Sequence, residues 1–285
     1  MNTVLFTALA MLAFAANSLL CRLALGAGTI DAAGFTGIRV ASGALLLGLI
    51  IVPRWRHGDV PRVDWRAVVM LFAYMILFSF AYLSLGAGTG ALILFGAVQL
   101  TMFGFALRSG EAFARLSWAG LALAVGGLVY LVSPGVTAPD PVGASLMGLA
   151  GVAWGSYSLL GRSAVDPMQV TALNFICALP LAGGTVLLSL HGLHVTPHGA
   201  VLAAASGAVA SGLGYFLWYA ALRGLAATQA ATVQLCVPVI AAFGGVLLLG
   251  EAVTPRLVLA SIATLGGIAL VLSQKHTRRA RSHRD

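Results

Sequence analysis

The stretch Tyr215–Val239 (YFLWYAALRGLAATQAATVQLCVPV) contains the pattern that decides the fold of this chain. It indicates one apolar helix that ends near Arg223 and a second apolar helix that begins directly after it. The second part holds Gln229, Gln234 and Pro238 in a run without a charged residue. Because amide side chains and proline-broken backbone are costly to expose to lipid, such groups usually face protein or water inside a membrane bundle. The stretch therefore predicts two transmembrane helices that face a polar interior.

The composition of the whole chain supports the same class. Of 285 residues, 60% are hydrophobic and 8% are charged, whereas a soluble domain has about 25% charged residues. The chain cannot cover a water-facing surface, so we predict an integral membrane protein. Its formal charge of +8 would suggest a nucleic-acid partner in a soluble protein, but here the basic residues lie in loops. We expect membrane lipid and a small-molecule substrate as partners, and no nucleic acid.

The three cysteines give no sign of a metal site. Cys21, Cys177 and Cys236 all lie within apolar stretches, and their spacing matches no metal-binding pattern. Such residues usually act as small buried hydrophobic groups. We therefore expect no metal, no cofactor and no catalytic residues.

Ten apolar stretches are long enough to cross a bilayer, which takes about 20 residues. They cover residues 3–23, 32–52, 65–85, 88–107, 114–133, 142–161, 168–190, 199–221, 226–248 and 255–273. Merging the stretches that meet near Gly86 and near Arg223 would give eight helices, two of them far longer than a bilayer is thick. The sequence therefore predicts an all-α integral membrane protein with ten transmembrane helices.

Lysine and arginine are concentrated on one side of this topology. With the N-terminus inside, most basic loop residues and the tail 275–285 are cytoplasmic, and the outer loops keep Arg22 and Arg256. By the positive-inside rule, both termini should be cytoplasmic in a bacterial inner membrane. Arg39 is the charge that lies within a span. Snorkelling or a structural partner is the favoured role for Arg39, and contact with a substrate carboxylate is the alternative.

The chain contains an internal repeat at an offset of 140 positions. The matching segments are Ser18-Leu19-Leu20 with Ser158-Leu159-Leu160, Arg22 with Arg162, Gly110-Glu111-Ala112 with Gly250-Glu251-Ala252, and Gly126-Gly127 with Gly266-Gly267. Each repeat holds five spans, and because five is odd, the second repeat enters the membrane from the opposite side. We predict two inverted five-helix repeats, residues 1–137 and 138–274, around a central cavity, followed by a basic tail, 275–285.

These repeats resemble the EamA-type drug/metabolite transporter superfamily, in which each repeat has a Gly-Glu pair that opens its last helix and a Gly-Gly pair within that helix. The resemblance extends from Phe14 to Leu272, and the aromatic residues are similar to those of YddG-type exporters of aromatic amino acids. It implies that the first, third and fourth helices and their repeat mates line a central cavity, with the fifth and tenth at the back. The first repeat departs from the motif at Ser109, where the second has Leu249.

Aromatic and polar side chains within these spans are the candidate substrate contacts. Phe78 and Tyr82 are four residues apart and form one helical stripe, and Tyr215 and Tyr219 repeat that spacing. Such rings offer stacking area with polar tips, although an interfacial belt or helix packing explains them equally, and an amide can bond a neighbouring helix. The candidate substrate-binding set is Asn17, Ser18, Phe78, Tyr82, Gln99, Trp154, Tyr157, Ser158, Tyr215, Trp218, Tyr219 and Gln234.

All eight acidic residues lie in loops or at span ends. Glu111 and Glu251 fit the first turn of their own helices, where free N–H groups favour an anion. A proton-coupled carrier usually needs a titratable group in the middle of a span. The sequence therefore predicts an exporter of small amphiphilic metabolites, especially aromatic or neutral amino acids, that works by alternating access without a buried carboxylate proton relay.

Two other classes stay open at this point. An intramembrane enzyme would need a buried acid–base or metal cluster, and the spans offer none. A scaffold subunit that does not transport would not need amides and prolines in the middle of its spans. The substrate, the energy coupling and the oligomeric state are left open by the sequence.

Overall fold

A computed structural model of the chain describes residues 3–55, 62–110, 113–135, 137–161, 166–222, 225 and 233–281. Within these ranges the regular structure is helical, apart from one isolated antiparallel bridge between Ile30 and Val195. The helices are α1 (Thr3–Gly26), α2 (Ala32–Trp55), α3 (Trp65–Ala81), α4 (Ala87–Arg108), α5 (Arg115–Val132), α6 (Pro141–Leu160), α7 (Pro167–Leu188), α8 (Pro197–Ala205), α9 (Gly214–Leu222), α10 (Cys236–Leu249) and α11 (Pro255–Arg281). A π-helical segment, Ser206–Leu213, joins α8 to α9 without a break.

Many of these helices can cross a membrane. Seven stretches of the described residues are long and apolar enough: Thr3–Gly26, Ala32–Pro53, Ala87–Arg108, Arg115–Val132, Met168–Leu188, Pro197–Ala221 and Pro255–Ser273. Helices α3 and α10 are apolar but shorter. The predicted all-helical membrane protein is thus confirmed, while the count of ten spans and the inverted relation of the halves stay predictions.

Four helices begin at an aspartate whose side chain accepts hydrogen bonds from the first turn. These residues are Asp31 before α2, Asp64 before α3, Asp140 before α6 and Asp166 before α7. The backbone N–H groups that they accept from lie two or three positions later, at 2.6 to 3.1 Å. Such caps satisfy donors that have no partner within the helix. The aspartates therefore stabilise helix ends.

Helices α5 and α11 pack closely against each other along small residues. A Cβ atom at Gly127 would lie 2.6 Å from the Thr264 hydroxyl, and one at Gly267 would lie 2.6 Å from the Ala124 nitrogen. Both positions need glycine, because such distances leave no room for a side chain. Ala124 and Thr264 are 140 positions apart, as are Gly127 and Gly267. The contact therefore pairs equivalent residues of the sequence repeat.

A polar cluster ties several helix ends together at one end of the bundle, and we call Arg22, Tyr82, Ala87 and Glu251 the Glu251 cluster. The Glu251 carboxylate accepts hydrogen bonds from the Ala87 nitrogen at 2.8 and 3.0 Å, and so caps α4. Arg22 Nε donates to Glu251 Oε1 at 3.2 Å, and its Nη1 donates to the Tyr82 carbonyl at 3.2 Å. The cluster thus joins α1, the end of α3, the start of α4 and the connection between α10 and α11.

The expected position of Glu251 in the first turn of its own helix is wrong. Gly250 ends α10 in a left-handed conformation, with φ 65°, which favours glycine. The chain then turns back before Pro255 begins α11, and Thr254 supplies the cap there by accepting from the Leu257 nitrogen at 3.1 Å. Glu251 is therefore free to cap α4 instead of its own helix. Its repeat mate, Glu111, lies outside the described residues.

Candidate functional site

A small cavity lies at the centre of the bundle. It is lined by residues of α1, α3, α4, α6, the π-helical segment and α9: Phe14, Asn17, Ser18, Tyr74, Phe78, Leu94, Phe95, Trp154, Ala210, Ser211 and Tyr215. The described residues of α5 and α11, which pack on each other, do not line it. The cavity volume is about 20 Å³, enough for a water molecule, which needs roughly 10–15 Å³. A larger occupant therefore requires the lining side chains or helices to move apart.

Aromatic rings form most of the cavity wall. Trp154 stacks on Tyr215 with ring centroids 5.2 Å apart and planes at 17°. Tyr74 lies 4.8 Å from the Trp154 ring, and Phe14 packs edge-on against Tyr215 at 6.1 Å. Such rings present flat apolar faces together with the polar tips of tyrosine and tryptophan. The wall therefore suits a flat, partly polar molecule.

A chain of hydrogen bonds runs along the same wall. Ser206 Oγ donates to Asn17 Oδ1 at 2.7 Å, and Asn17 Nδ2 donates to the Tyr74 hydroxyl at 3.2 Å. Arg39 Nη2 donates to the same hydroxyl at 3.0 Å and to Ser211 Oγ at 3.4 Å. These bonds connect α1, α2, α3 and the π-helical segment. They hold the polar groups in fixed positions beside an apolar cavity.

Arg39 is completely buried, at 0% exposure. Its guanidinium carbon lies 5.2 Å from the ring centroid of Tyr74 and 5.0 Å from that of Phe78, which places it in cation–π range. Of the two favoured roles, snorkelling to the interface is therefore wrong, while the contacts with Tyr74, Phe78 and Ser211 agree with a structural partner for Arg39. Its face of α2 points into the bundle, where two aromatic rings and two hydroxyl groups surround the charge. Of its nitrogens, Nη1 is buried without a hydrogen-bond partner in the described part of the chain.

The π-helical segment explains how the serines and Arg39 come together. In an α-helix, residues five apart point about 140° away from each other, but the i→i+5 bonding of a π-helix brings them toward one face. Ser206 and Ser211 are spaced in this way. Gly207 allows the close contact, since a Cβ atom there would overlap the Arg39 carbonyl oxygen and the Ser42 hydroxyl.

Five of the predicted substrate contacts line the cavity, namely Asn17, Ser18, Phe78, Trp154 and Tyr215. They come from α1, α3, α6 and α9, so the fold brings together residues that are far apart in the sequence. Their role in binding a substrate stays a prediction.

Two further predicted aromatic residues pack behind this wall. Tyr82 is completely buried, with its ring edge-on to Phe78 at 4.8 Å and its hydroxyl donating to the Ala87 carbonyl at 3.3 Å. Trp218 packs edge-on against Phe14 at 5.9 Å. Neither residue lines the cavity in this conformation.

The predicted polar contacts of α6 and α9 lie off the cavity as well. The Tyr157 hydroxyl donates to Thr171 Oγ1 at 3.3 Å, and Thr171 Oγ1 donates to the Tyr219 hydroxyl at 3.4 Å. Ser158 Oγ donates to the Trp154 carbonyl one turn earlier, at 2.8 Å. Tyr157 and Tyr219 therefore link α6, α7 and α9 through Thr171, whereas the Ser158 hydroxyl bonds within its own helix.

Unlike Asn17, the predicted glutamines Gln99 and Gln234 are buried without lining the cavity. Gln99 on α4 is 8% exposed, and its Nε2 has no hydrogen-bond partner among the described residues. Gln234 is 9% exposed just before α10. Gln229 lies outside the described residues. A contribution of Gln99 and Gln234 to the transport pathway stays a prediction.

Six residues that line the cavity were missing from the predicted set: Phe14, Tyr74, Leu94, Phe95, Ala210 and Ser211. Tyr74 extends the stripe of Phe78 and Tyr82 by one more turn at the same spacing, so the sequence did contain a signal for it. Phe14 lies four residues before Ser18 and could have been found in the same way. Ser211 gave no such signal, because its place in the wall depends on the π-helical geometry.

The described residues contain no group of three or more His, Cys, Asp or Glu side chains that could hold a metal ion. The groups at the cavity are instead rings, hydroxyls, one amide and one buried guanidinium. They are suited to binding a molecule through stacking and hydrogen bonds.

Comparison with known proteins is consistent with this architecture. Residues 141–273 match the EamA-like transporter family. An uncharacterized protein of Pseudomonas aeruginosa is 52% identical over 98% of both chains. A protein of Streptantibioticus cattleyicolor named "Probable terminal-alkyne amino-acid exporter" is 28% identical over 85% of both chains. One crystal structure, 19% identical, shares the fold with a TM-score of 0.69 over 97% of this chain and 98% of its own. Residues 141–273 of this chain thus form an EamA-like transporter family domain.

Proposed function

We propose that this protein is a carrier of the bacterial inner membrane that exports small amphiphilic metabolites, chiefly aromatic or neutral amino acids. The observation that supports this most directly is the central cavity, where stacked rings and polar groups surround one space in a membrane bundle. The EamA-like transporter family domain favours a carrier over an intramembrane enzyme or a scaffold subunit.

The chemistry of the cavity wall fits such a substrate. The Trp154, Tyr215 and Tyr74 rings provide faces on which an aromatic or apolar side chain can stack. Asn17 and Ser18 provide hydrogen-bonding groups for the polar end of the same molecule. The relative named as an amino-acid exporter supports this substrate class.

Alternating access is the proposed mechanism. The cavity, at about 20 Å³, is too small for an amino acid, so the bundle must open before a substrate can bind. The contacts between α5 and α11 pair equivalent residues of the two repeats, which supports two inverted halves, 1–137 and 138–274. In the proposed mechanism these halves rock against each other. In the predicted orientation, with both termini cytoplasmic, the Glu251 cluster faces the outside, and substrate would enter from the opposite end.

We further propose that no buried carboxylate relays protons. Each carboxylate in the described residues accepts hydrogen bonds from the start of a helix: Asp31, Asp64, Asp140, Asp166 and Glu251. A group that caps a helix in this way is part of the framework. Transport should therefore follow the gradient of the substrate.

The test is counterflow in liposomes that contain the purified protein. Vesicles loaded with unlabelled phenylalanine should take up labelled phenylalanine transiently, while protein-free vesicles should not. With equal phenylalanine on both sides and the membrane potential clamped, a pH step should cause no net accumulation. No counterflow with any aromatic or neutral amino acid would overturn the proposed substrate class, and accumulation after the pH step would overturn the absence of proton coupling.

A further inference from the structure

We propose that Arg39 binds the carboxylate of the transported molecule, so that the site requires a carboxylate but does not require an amine. The substrate class is then the amphiphilic carboxylates, of which amino acids are one part. This inference rests on the proposed function and makes it more specific.

The first argument is that Arg39 carries a positive charge that is buried. Its side chain is completely buried on α2, and no carboxylate forms an ion pair with it in the part of the chain that the structure describes. A charge inside a membrane bundle is costly unless it is paired, and such residues commonly mark substrate pathways. The aromatic rings and hydroxyls around Arg39 compensate only part of that cost, because none of them has a full negative charge. A carboxylate in the cavity would complete the compensation.

The second argument is the position of the guanidinium directly behind the cavity wall. Tyr74, Phe78 and Ser211 each contact the Arg39 guanidinium, and all three line the cavity. The contacts from Arg39 Nε and Nη2 to Ser211 Oγ are both 3.4 Å, long for hydrogen bonds. A substrate carboxylate can replace these weak contacts when the bundle opens.

The third argument is the unused donor. Nη1 of Arg39 is buried and has no hydrogen-bond partner among the described residues. A guanidinium presents parallel N–H groups that match the two oxygens of a carboxylate. Binding through Nη1 and a neighbouring nitrogen would satisfy the donor and neutralise the charge in one step.

The amine of an amino acid has no equivalent partner. The cavity is lined by neutral side chains, and no described carboxylate is among them. An ammonium group can contact only ring faces, the Asn17 amide oxygen and hydroxyls, which are weaker partners than an ion. We therefore expect the site to lose more affinity when the carboxylate is removed than when the amine is removed.

Other arginines show what a purely structural role looks like. Arg256 donates to the carbonyls of Leu131 and Ser133, and so caps the C-terminal end of α5. Arg22 is paired with Glu251. Each has a partner that fully explains its position, whereas Arg39 keeps an unused donor beside a cavity.

The test uses two analogues of phenylalanine that each lack one charged group. In the counterflow assay with the unmodified protein, 3-phenylpropionate has the carboxylate alone, and phenethylamine has the amine alone. We expect 3-phenylpropionate to inhibit phenylalanine counterflow at least about tenfold more strongly than phenethylamine, because only the carboxylate can form a charge-assisted, two-point hydrogen bond with Arg39. Equal inhibition, or stronger inhibition by phenethylamine, would overturn the inference and leave the proposed function intact.

Variants give a second measurement. Arg39→Gln should remove the preference for 3-phenylpropionate, and Arg39→Lys should restore part of it. Arg256→Gln is the matched control, since it removes an arginine far from the cavity and should keep the full preference. An Arg39→Gln protein that is folded and retains the preference would contradict the inference. If Arg39→Gln does not fold, the comparison of analogues on the unmodified protein still decides the question. If neither phenylalanine nor any other aromatic or neutral amino acid shows counterflow, it is the proposed function that fails.

Discussion

A half-buried arginine lies in the Glu251 cluster and a fully buried one lies behind the cavity wall, and the two have opposite kinds of partner. Arg22 has a carboxylate partner in Glu251, and the same carboxylate also caps α4. Arg39 is more deeply buried but has rings and hydroxyls around it instead of an anion. The difference shows that the described carboxylates are all used at helix ends, which leaves a positive charge uncompensated beside the central cavity.

Four experiments test the contrast between these two regions. They concern, in turn, the helix contact behind Arg39, the ring wall, the Glu251 cluster and a peripheral hydroxyl. The expected effects decrease in that order.

The largest effect is expected from Gly207→Ala. A Cβ atom at Gly207 would overlap the Arg39 carbonyl oxygen, which is backbone and cannot rotate away. The π-helical segment and α2 would have to separate, at a cost of about 1–3 kcal/mol or more. A thermal unfolding assay in detergent should show a large drop in Tm, whereas Gly148→Ala, where the new Cβ atom would meet nothing within 4 Å, should not. Equal Tm values for the two variants would contradict the close contact.

The next effect is expected from Trp154→Ala. The change removes the ring that stacks on Tyr215 and contacts Tyr74. Loss of stacking worth about 1–1.5 kcal/mol should raise the KM for phenylalanine roughly tenfold. The KM for phenylalanine is measured by transport in liposomes, and Trp118→Ala, on the exposed face of α5, is the control. An unchanged KM would mean that the ring belongs only to the packing of the bundle.

A smaller effect is expected from Glu251→Gln. The change removes the ion pair with Arg22 and weakens the cap on α4. Both side chains are partly exposed, at 26% and 21%, so solvent screens the pair, and we expect a loss of about 1 kcal/mol. The Tm should fall by a few degrees, while the preference for a carboxylate should be unchanged. A lost preference would show that the two regions are not independent.

The smallest effect is expected from Tyr219→Phe. The Tyr219 hydroxyl accepts a long hydrogen bond, 3.4 Å, from Thr171, and the side chain does not line the cavity. Its removal should change the KM for phenylalanine by no more than about twofold, since such a bond contributes little net stability. A change of tenfold or more in the same assay would place Tyr219 on the substrate path in another conformation.

The sequence predicts the membrane class and several local features well, because these depend on neighbouring residues. Apolar length gives the helices, and the acidic residues expected in loops or at span ends include the four aspartates that cap helices. The spacing of Phe78 and Tyr82 predicts the aromatic face of α3 next to the cavity, since residues four apart share a helix face.

Long-range and irregular features were not predictable in the same way. Glu251 caps a helix that begins 164 positions earlier at Ala87, and no local pattern encodes that partner. Arg39 is drawn into the bundle by Tyr74 and by Ser211. The position of Ser211 depends on a π-helical segment that hydrophobic periodicity does not reveal.

The contact between α5 and α11 has an evolutionary consequence. Equivalent residues meet across it, as Gly127 meets Thr264 and Gly267 meets Ala124, and this is the geometry of a symmetric homodimer. An ancestral gene that encoded one half could therefore have formed the same contact between two identical chains. Fusion of two such genes would let the two sequences diverge, so that a buried arginine such as Arg39 could arise in one half alone.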